Sequence, residues 1–258
     1  MNFFKGMQKF AAFRFFSLFF LGSLLFVSPS CEDFDFNDLP LGLTEEEVVS
    51  ALKEALKVGT DSSVVTANVL NGYFGNEIIK ILLPDELNQV QSFINNELGF
   101  LPGIQDEAQN LIDNLVLKLN RAAENAAVKA KPIFFDAITG ITIDDGFAIL
   151  EGTEDAATNY LQTNTNENLY TSFKPDIQNA LEDVQAQQIW QQLFTLIENY
   201  DFLNLVSDDI NPDLADYTTN KALGGLFHLV AKEEKNIREN VEARVTDLLE
   251  KVFGTLDD

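Results

Sequence analysis

Residues 136 to 152, DAITGITIDDGFAILEG, set acids around a glycine, the vocabulary of a calcium loop. The frame decides against it. With Gly146 at position 6 of an EF-hand loop, positions 1 and 3 fall on Ile141 and Ile143, and position 12 falls on Gly152. Only Asp145 stands where a ligand is needed. Thr142 followed three residues later by Asp145 reads instead as a helix start in which hydroxyl and carboxylate cap each other. Phe147, Ile149 and Leu150 would be its apolar side and Gly152 its stop.

The remaining reactive residue types are sparse. His228 is the only histidine and sits in the apolar stretch LGGLFHLVAKEE, so no multi-histidine metal site can form. No G-x-S-x-G elbow, Walker loop or dinucleotide glycine loop occurs. Arg121 is the only arginine between residues 32 and 237, in LNRAAENAAVKAK beside small alanines. Its guanidinium could hold an anionic ligand or a carboxylate between helices. Glu124, one turn on, could instead pair with it locally. Arg121, Glu124 and Asp136 form the candidate polar cluster, for a ligand or for structure. No residue is assigned to catalysis, to a cofactor or to a metal, and no cofactor is expected.

Cys31 is the only cysteine. It follows Lys5, Lys9 and Arg14, a 13-residue apolar run from Phe15 to Val27, and the small residues Ser28, Pro29 and Ser30. Such a run is short for a membrane span and typical of a signal-peptide core. The arrangement resembles the lipobox of bacterial lipoproteins, where the peptide is cut before an acylated cysteine. The resemblance implies lipidation at Cys31 and a protein exported to the cell envelope, on its periplasmic face or at the cell surface. Residues 1–30 are then a signal peptide and 31–43 an acidic tether, EDFDFNDLPLGL after the cysteine, reaching at most about 40 Å. Without a second thiol, disulfides and cysteine-based metal sites are unavailable.

Charge narrows the partners. The chain holds 17 basic and 41 acidic residues, a formal net charge of −24, with every acid after residue 31. Such a surface repels phosphate backbones, so no nucleic-acid partner is expected. The expected partners are the membrane, through the anchor, and an unknown protein or small apolar ligand.

The elements that must position these residues read as helices. In TEEEVVSALKEALK, Thr44 and Glu47 form a capping box, Val48, Ala51, Leu52, Ala55 and Leu56 share a face, and Gly59 suits a stop. DSSVVTANVLNGYFGN reads as a second, shorter helix ending near Gly72. EIIKILLP is a short strand or an extended connector. PDELNQVQSFINNELG starts a helix at Pro84, with Leu87, Val90, Ile94 and Leu98 as its stripe. GIQDEAQNLIDNLVLKLNRAAENAAVKAK carries the longest periodic stripe, through Ala108, Leu111, Leu115, Leu119, Ala122, Ala126 and Ala130, until Pro132 kinks or breaks it.

Further segments start near Thr153, Thr165, Pro175, Tyr217 and Asn240. In the first of them, GTEDAATNYLQTNTNENL reads as consecutive helix caps. Ile177, Leu181, Val184, Leu193, Phe194 and Ile197 mark one buried face. Leu223, Phe227, Val230 and Ile237 mark another, and Gly254 closes the last helix. The expected fold is all-α: one multi-helix domain over 44–254 and a tail at 255–258. It has room for one short extended or two-stranded element around 78–83 and 141–143.

Several of these stretches, in this order, resemble the bacterial domain-of-unknown-function family 4197. The carriers are SALKEALKVGT, GYFGNEIIKILLP, LNRAAENAAVKAKPIFFDAITGITIDDGFAILEGTEDAATNYLQTNT, FKPDIQNAL and DYTTNKALGGLFHLVAKEEKNIREN, with a terminal KVFG. The resemblance spans about Leu43 to Gly254 and implies an exported or membrane-associated helical protein, with no catalytic residues to carry over. The leading expectation is a non-enzymatic envelope lipoprotein that binds a partner or acts as a scaffold through its helices. The alternatives are a carrier for a lipid or other apolar molecule, and an enzyme with an unrecognised active site.

Overall fold

Thr44 opens the first helix as its spacing demands. Its hydroxyl accepts from Glu47 N–H (3.2 Å), and the Glu47 carboxylate accepts from Thr44 N–H (2.9 Å). A cap of this kind is worth about 1 kcal/mol. The computed structural model describes residues 44–84, 88–183, 185–201 and 213–254. These fall in a single compact unit, Leu39–Asp258. Cys31, the expected signal peptide and tether, the tail, Leu87 and Val184 lie outside the described residues.

Nine α-helices are described: α1 Glu45–Asn68, α2 Asn88–Asn96, α3 Pro102–Ala127, α4 Ala130–Thr139, α5 Ile143–Leu150, α6 Ala156–Asp183, α7 Ala186–Glu198, α8 Leu214–Glu239 and α9 Asp247–Phe253. α8 is central, packing on α6, α1 and α3. α3 also meets α6 and α7, and α4 bridges α1 and α6. The buried faces form a core of aliphatic side chains around Tyr73, Phe134 and Phe173. The domain is all-α, and no strand occurs among the described residues.

Several expected boundaries move, each for a physical reason. α1 runs through Gly59, which is no stop; it is buried facing α8, where a Cβ would make ordinary contacts with Glu233 Cβ (3.5 Å) and Ile237 Cδ1 (3.8 Å). Thr60 and Ser63 are buried there and satisfy their hydroxyls on carbonyls one turn back, at Leu56 and Gly59. The expected second helix is therefore the last third of α1, and it ends at Asn68 rather than near Gly72.

The starts expected at Thr165 and Pro175 also vanish into one helix, α6. Thr165 is buried and donates to Leu161 O (2.6 Å) rather than capping. Pro175 removes one donor, but the carbonyl it frees belongs to exposed Thr171, where water can serve it. The Thr- and Asn-rich stretch is thus mostly helix interior. Left-handed Gln185 (φ 57°) divides the expected face at Ile177–Ile197 between α6 and α7.

Other signals land close to their marks. The alanine-rich periodic segment breaks at Val128–Lys129, and Pro132 sits in the first turn of α4, where no N–H is required. α8 starts at Leu214, capped by Asp213, rather than at Tyr217. The segment expected from Asn240 is a 3-10 turn, Val241–Ala243, before α9, which Thr246 caps and Gly254 ends. Pro84 lies outside α2, at the end of the non-helical stretch 80–84.

Candidate functional site

The candidate cluster on α3 is a clamp. Glu124 is buried, 2% exposed, yet its carboxylate is fully engaged. One oxygen accepts from the backbone N–H groups of Tyr73 (3.2 Å) and Phe74 (3.1 Å), and the other pairs with Arg121. Arg121 reaches on to Asn71 Oδ1 (2.7 Å) and lies over the Phe74 ring. Asn71 has a left-handed backbone, φ 68°, which asparagine tolerates. Asn68 Nδ2 donates to Glu124 O (2.8 Å). The loop after α1 is thus fixed to α3 by charge-assisted bonds of about 1.5–3 kcal/mol each.

Asn120, one turn earlier on α3, holds the next stretch of the same loop. Its side-chain amide accepts from Ile81 N–H (2.8 Å) and donates to Ile81 C=O (2.7 Å). One planar amide can serve both groups of one residue only where they point the same way, as in an extended chain. Beside Ile81, which is buried, Leu82 is 60% exposed, and in the turn before them Ile78 is 73% exposed and Ile79 buried. Of the two options for 78–83 the structure has the connector: residues 78–79 belong to a turn closed by Lys80 N–H on Asn76 O (2.9 Å), and residues 80–84 run on without helix, with Asn120 as the partner of Ile81. Residues 141–142 form no strand; they lead into α5.

Tyr73 links clamp and segment to α8. Its ring is fully buried and its hydroxyl donates to Ala222 O (2.7 Å). Burial first, and the Glu124 carboxylate second, push the phenol above its ordinary range, so it stays a donor. Beside this contact the segment, α3 and α8 border a groove of about 700 Å³. On the α8 side it is lined by Tyr217, Asn220, Lys221, Gly224 and His228. His228 is exposed at its rim rather than packed in the core.

The family model described as "Protein of unknown function (DUF4197)" matches residues 42–254. The chain belongs to this family. No curated protein and no solved structure matches it. The DUF4197 segment LNRAAENAA holds the clamp itself, Asn120, Arg121 and Glu124, and NKALGGLFHL holds the α8 side of the groove.

Asp136 does not join the clamp. It is exposed on α4, its carbonyl accepts from Gly140 N–H (3.2 Å), and no hydrogen bond or ion pair joins it to Arg121 or Glu124 among the described residues. Thr142 and Asp145 form the expected box, with Asp145 N–H 3.2 Å from the Thr142 hydroxyl and Thr142 N–H 3.0 Å from the carboxylate. The Thr142 backbone and hydroxyl hold the Asp145 carboxyl below its usual range. No group of three or more metal-ligating side chains occurs among the described residues.

A second buried carboxylate escaped the sequence reading. Glu234 on α8 accepts from the N–H groups of Ala157 (2.9 Å) and Thr158 (2.8 Å), two orphan donors at the start of α6. It also accepts from Arg238 Nε (3.2 Å) and Nη2 (3.0 Å). Arg238 in turn donates to the carbonyls of Ile149 (2.7 Å) and Leu150 (3.0 Å), at the end of α5. One ion pair thus serves a helix start and a helix end, each with its favoured charge. The i,i+4 spacing of Glu234 and Arg238 was the available signal.

Proposed function

We propose that this DUF4197 protein is a non-enzymatic cell-envelope lipoprotein, acylated at Cys31, which binds a partner through the groove beside residues 78–83. The observation that carries the binding reading is the groove itself, with Ile78 and Leu82 exposed along an anchored wall. Exposed apolar side chains cost little singly, but a set held rigid beside a concave surface is what a recognition site requires. Placement at the envelope is supported by the position of Cys31 after a short apolar run. No described helix is long and apolar enough to cross a membrane. An interior lipid cavity has less support: the apolar pocket between α1, α8 and α9 measures about 20 Å³, near the room of one water.

Site-specific photocrosslinking in intact cells tests both parts. A photoreactive residue at Ile78 or Leu82 should give a discrete protein adduct. The same residue at Val241, exposed elsewhere, should give none. Cys31→Ser should lose membrane association and the acyl mass. Equal crosslinking at all three sites, or a membrane-bound Cys31→Ser protein, would contradict the proposal.

A further inference from the structure

The groove is bordered by a backbone edge that is only partly used: Lys80 N–H donates to Asn76 O (2.9 Å) and Leu82 O accepts from Tyr217. Asn120 occupies the α3-facing edge of the extended segment at Ile81. In an extended chain the groups of the neighbouring residues point the opposite way. The Tyr217 hydroxyl confirms this direction by donating to Leu82 O (3.1 Å) from α8. On that side, among the described residues, Leu82 N–H and Lys80 C=O have no hydrogen-bond partner, and Leu82 is exposed. A free N–H and a free C=O flanking one residue are the two groups that a parallel strand engages.

The helix beside this edge is opened by a glycine. Tyr217, Lys221, Gly224 and His228 follow helical spacing along one face of α8. Gly224 lies mid-helix, where glycine costs about 1 kcal/mol against alanine. Packing does not require it: a Cβ there would meet nothing within 4 Å. Adjacent Gly225 is the opposite case, since its Cβ would fall 2.8 Å from Tyr73 Cε1 and 3.1 Å from Ile79 Cβ. Gly225 serves the fold; Gly224 serves open space.

Charge selects the occupant. The chain is strongly acidic, yet among the described residues the groove lining contains Lys80, Lys221 and His228 against the single acid Asp113. Lys80 lies 4.4 Å from the Phe74 ring centroid and Lys221 lies 5.6 Å from that of Tyr217. Among the described residues, neither lysine pairs with a carboxylate, although acids outnumber bases overall by 41 to 17.

We propose that the groove takes an extended peptide segment of a partner protein, added as a strand along residues 80–82 over Gly224. An acidic side chain of that partner meets Lys221 and Lys80. This is strand addition to an edge, with backbone bonds supplying affinity and alternate side chains supplying selection. It rests on the reading above that the groove is where a partner binds.

The test pans a library of short random peptides on the purified full-length chain, then measures binding of the selected peptides. Enriched peptides should alternate apolar and acidic residues, and their binding should slow hydrogen exchange at the Leu82 amide. Gly224→Leu, for which the free fold has room, should weaken them about tenfold or more, and Lys221→Glu should weaken them as well. Peptides that lose binding in Gly224→Leu but leave Leu82 exchange unchanged would overturn strand addition while leaving the groove as the binding site. No enriched peptide, or peptides that bind Gly224→Leu as tightly as the parent, would overturn both. Laurate, run in parallel, covers a small amphiphilic anion: laurate protecting the groove where no peptide does would also overturn the proposal.

Discussion

The Glu234–Arg238 pair and the groove beside residues 80–82 treat polar groups in opposite ways. At Glu234 both carboxylate oxygens are engaged, and Arg238, its side chain 10% exposed, also serves two carbonyls. At the groove a backbone N–H, a backbone C=O and two lysines are left without such partners among the described residues. Buried polar groups are expensive to leave unpaired, so the first arrangement is what a fold needs to stand. Solvated groups can stay unpaired cheaply, so the second stays available to something else. The Glu124 clamp lies between the two, spent on structure but with Arg121 29% exposed. It supports the groove without forming its surface.

Removing the carboxylate should separate these regions by size. Glu234→Ala should cost about 3–5 kcal/mol in denaturant unfolding, because it leaves Arg238 buried and two helix-start donors unpaired. Glu124→Ala should cost less, about 2–3 kcal/mol, since Arg121 can turn toward water. Equal losses would show that exposure of the arginine does not set the difference.

The glycine pair sharpens the same contrast in sign. Gly225→Ala should destabilise by about 1–3 kcal/mol through its clash with Tyr73 and Ile79. Gly224→Ala should stabilise α8 by up to about 1 kcal/mol. Thermal melts of the two variants compare them directly, and destabilisation by both would mean that Gly224 also packs.

The smallest expected effect comes from the exposed caps. Backbone bonding at Thr44, with the charge of Lys251, lowers the Glu47 pKa, and bonding at Thr142 lowers that of Asp145. A lowered folded-state pKa adds stability above the unfolded value, which is lost as pH falls through the folded one. The starts of α1 and α5 should therefore loosen on acidification below the ordinary carboxylate range. Glu47→Gln with Asp145→Asn should flatten that slope in a circular-dichroism titration, and an unchanged slope would remove the caps from the acid response.

What was legible in the sequence followed local rules. Thr44 with Glu47 and Thr142 with Asp145 are contacts three residues apart, so spacing alone places them. The face of Leu223, Phe227, Val230 and Ile237 follows helical period and is buried. Arg121 and Glu124 were visible as a pair, but not their grip on Tyr73 and Phe74, some fifty residues away. Gly59, Thr165 and Pro175 misled because each is a punctuation residue locally, while tertiary packing or solvent at that position absorbs its cost. Asn120 gave no local signal at all, since its partner Ile81 lies 39 residues earlier.

Amide hydrogen exchange at Ile81 and Leu82, measured in the unliganded chain, tests the contrast between spent and unspent groups most directly. The account predicts a slow Ile81 amide, bonded to Asn120 and buried, next to a fast Leu82 amide open to solvent, with Asn120→Ala speeding only the former. Comparable protection at both residues would contradict it, because the edge assigned to a partner would already be occupied.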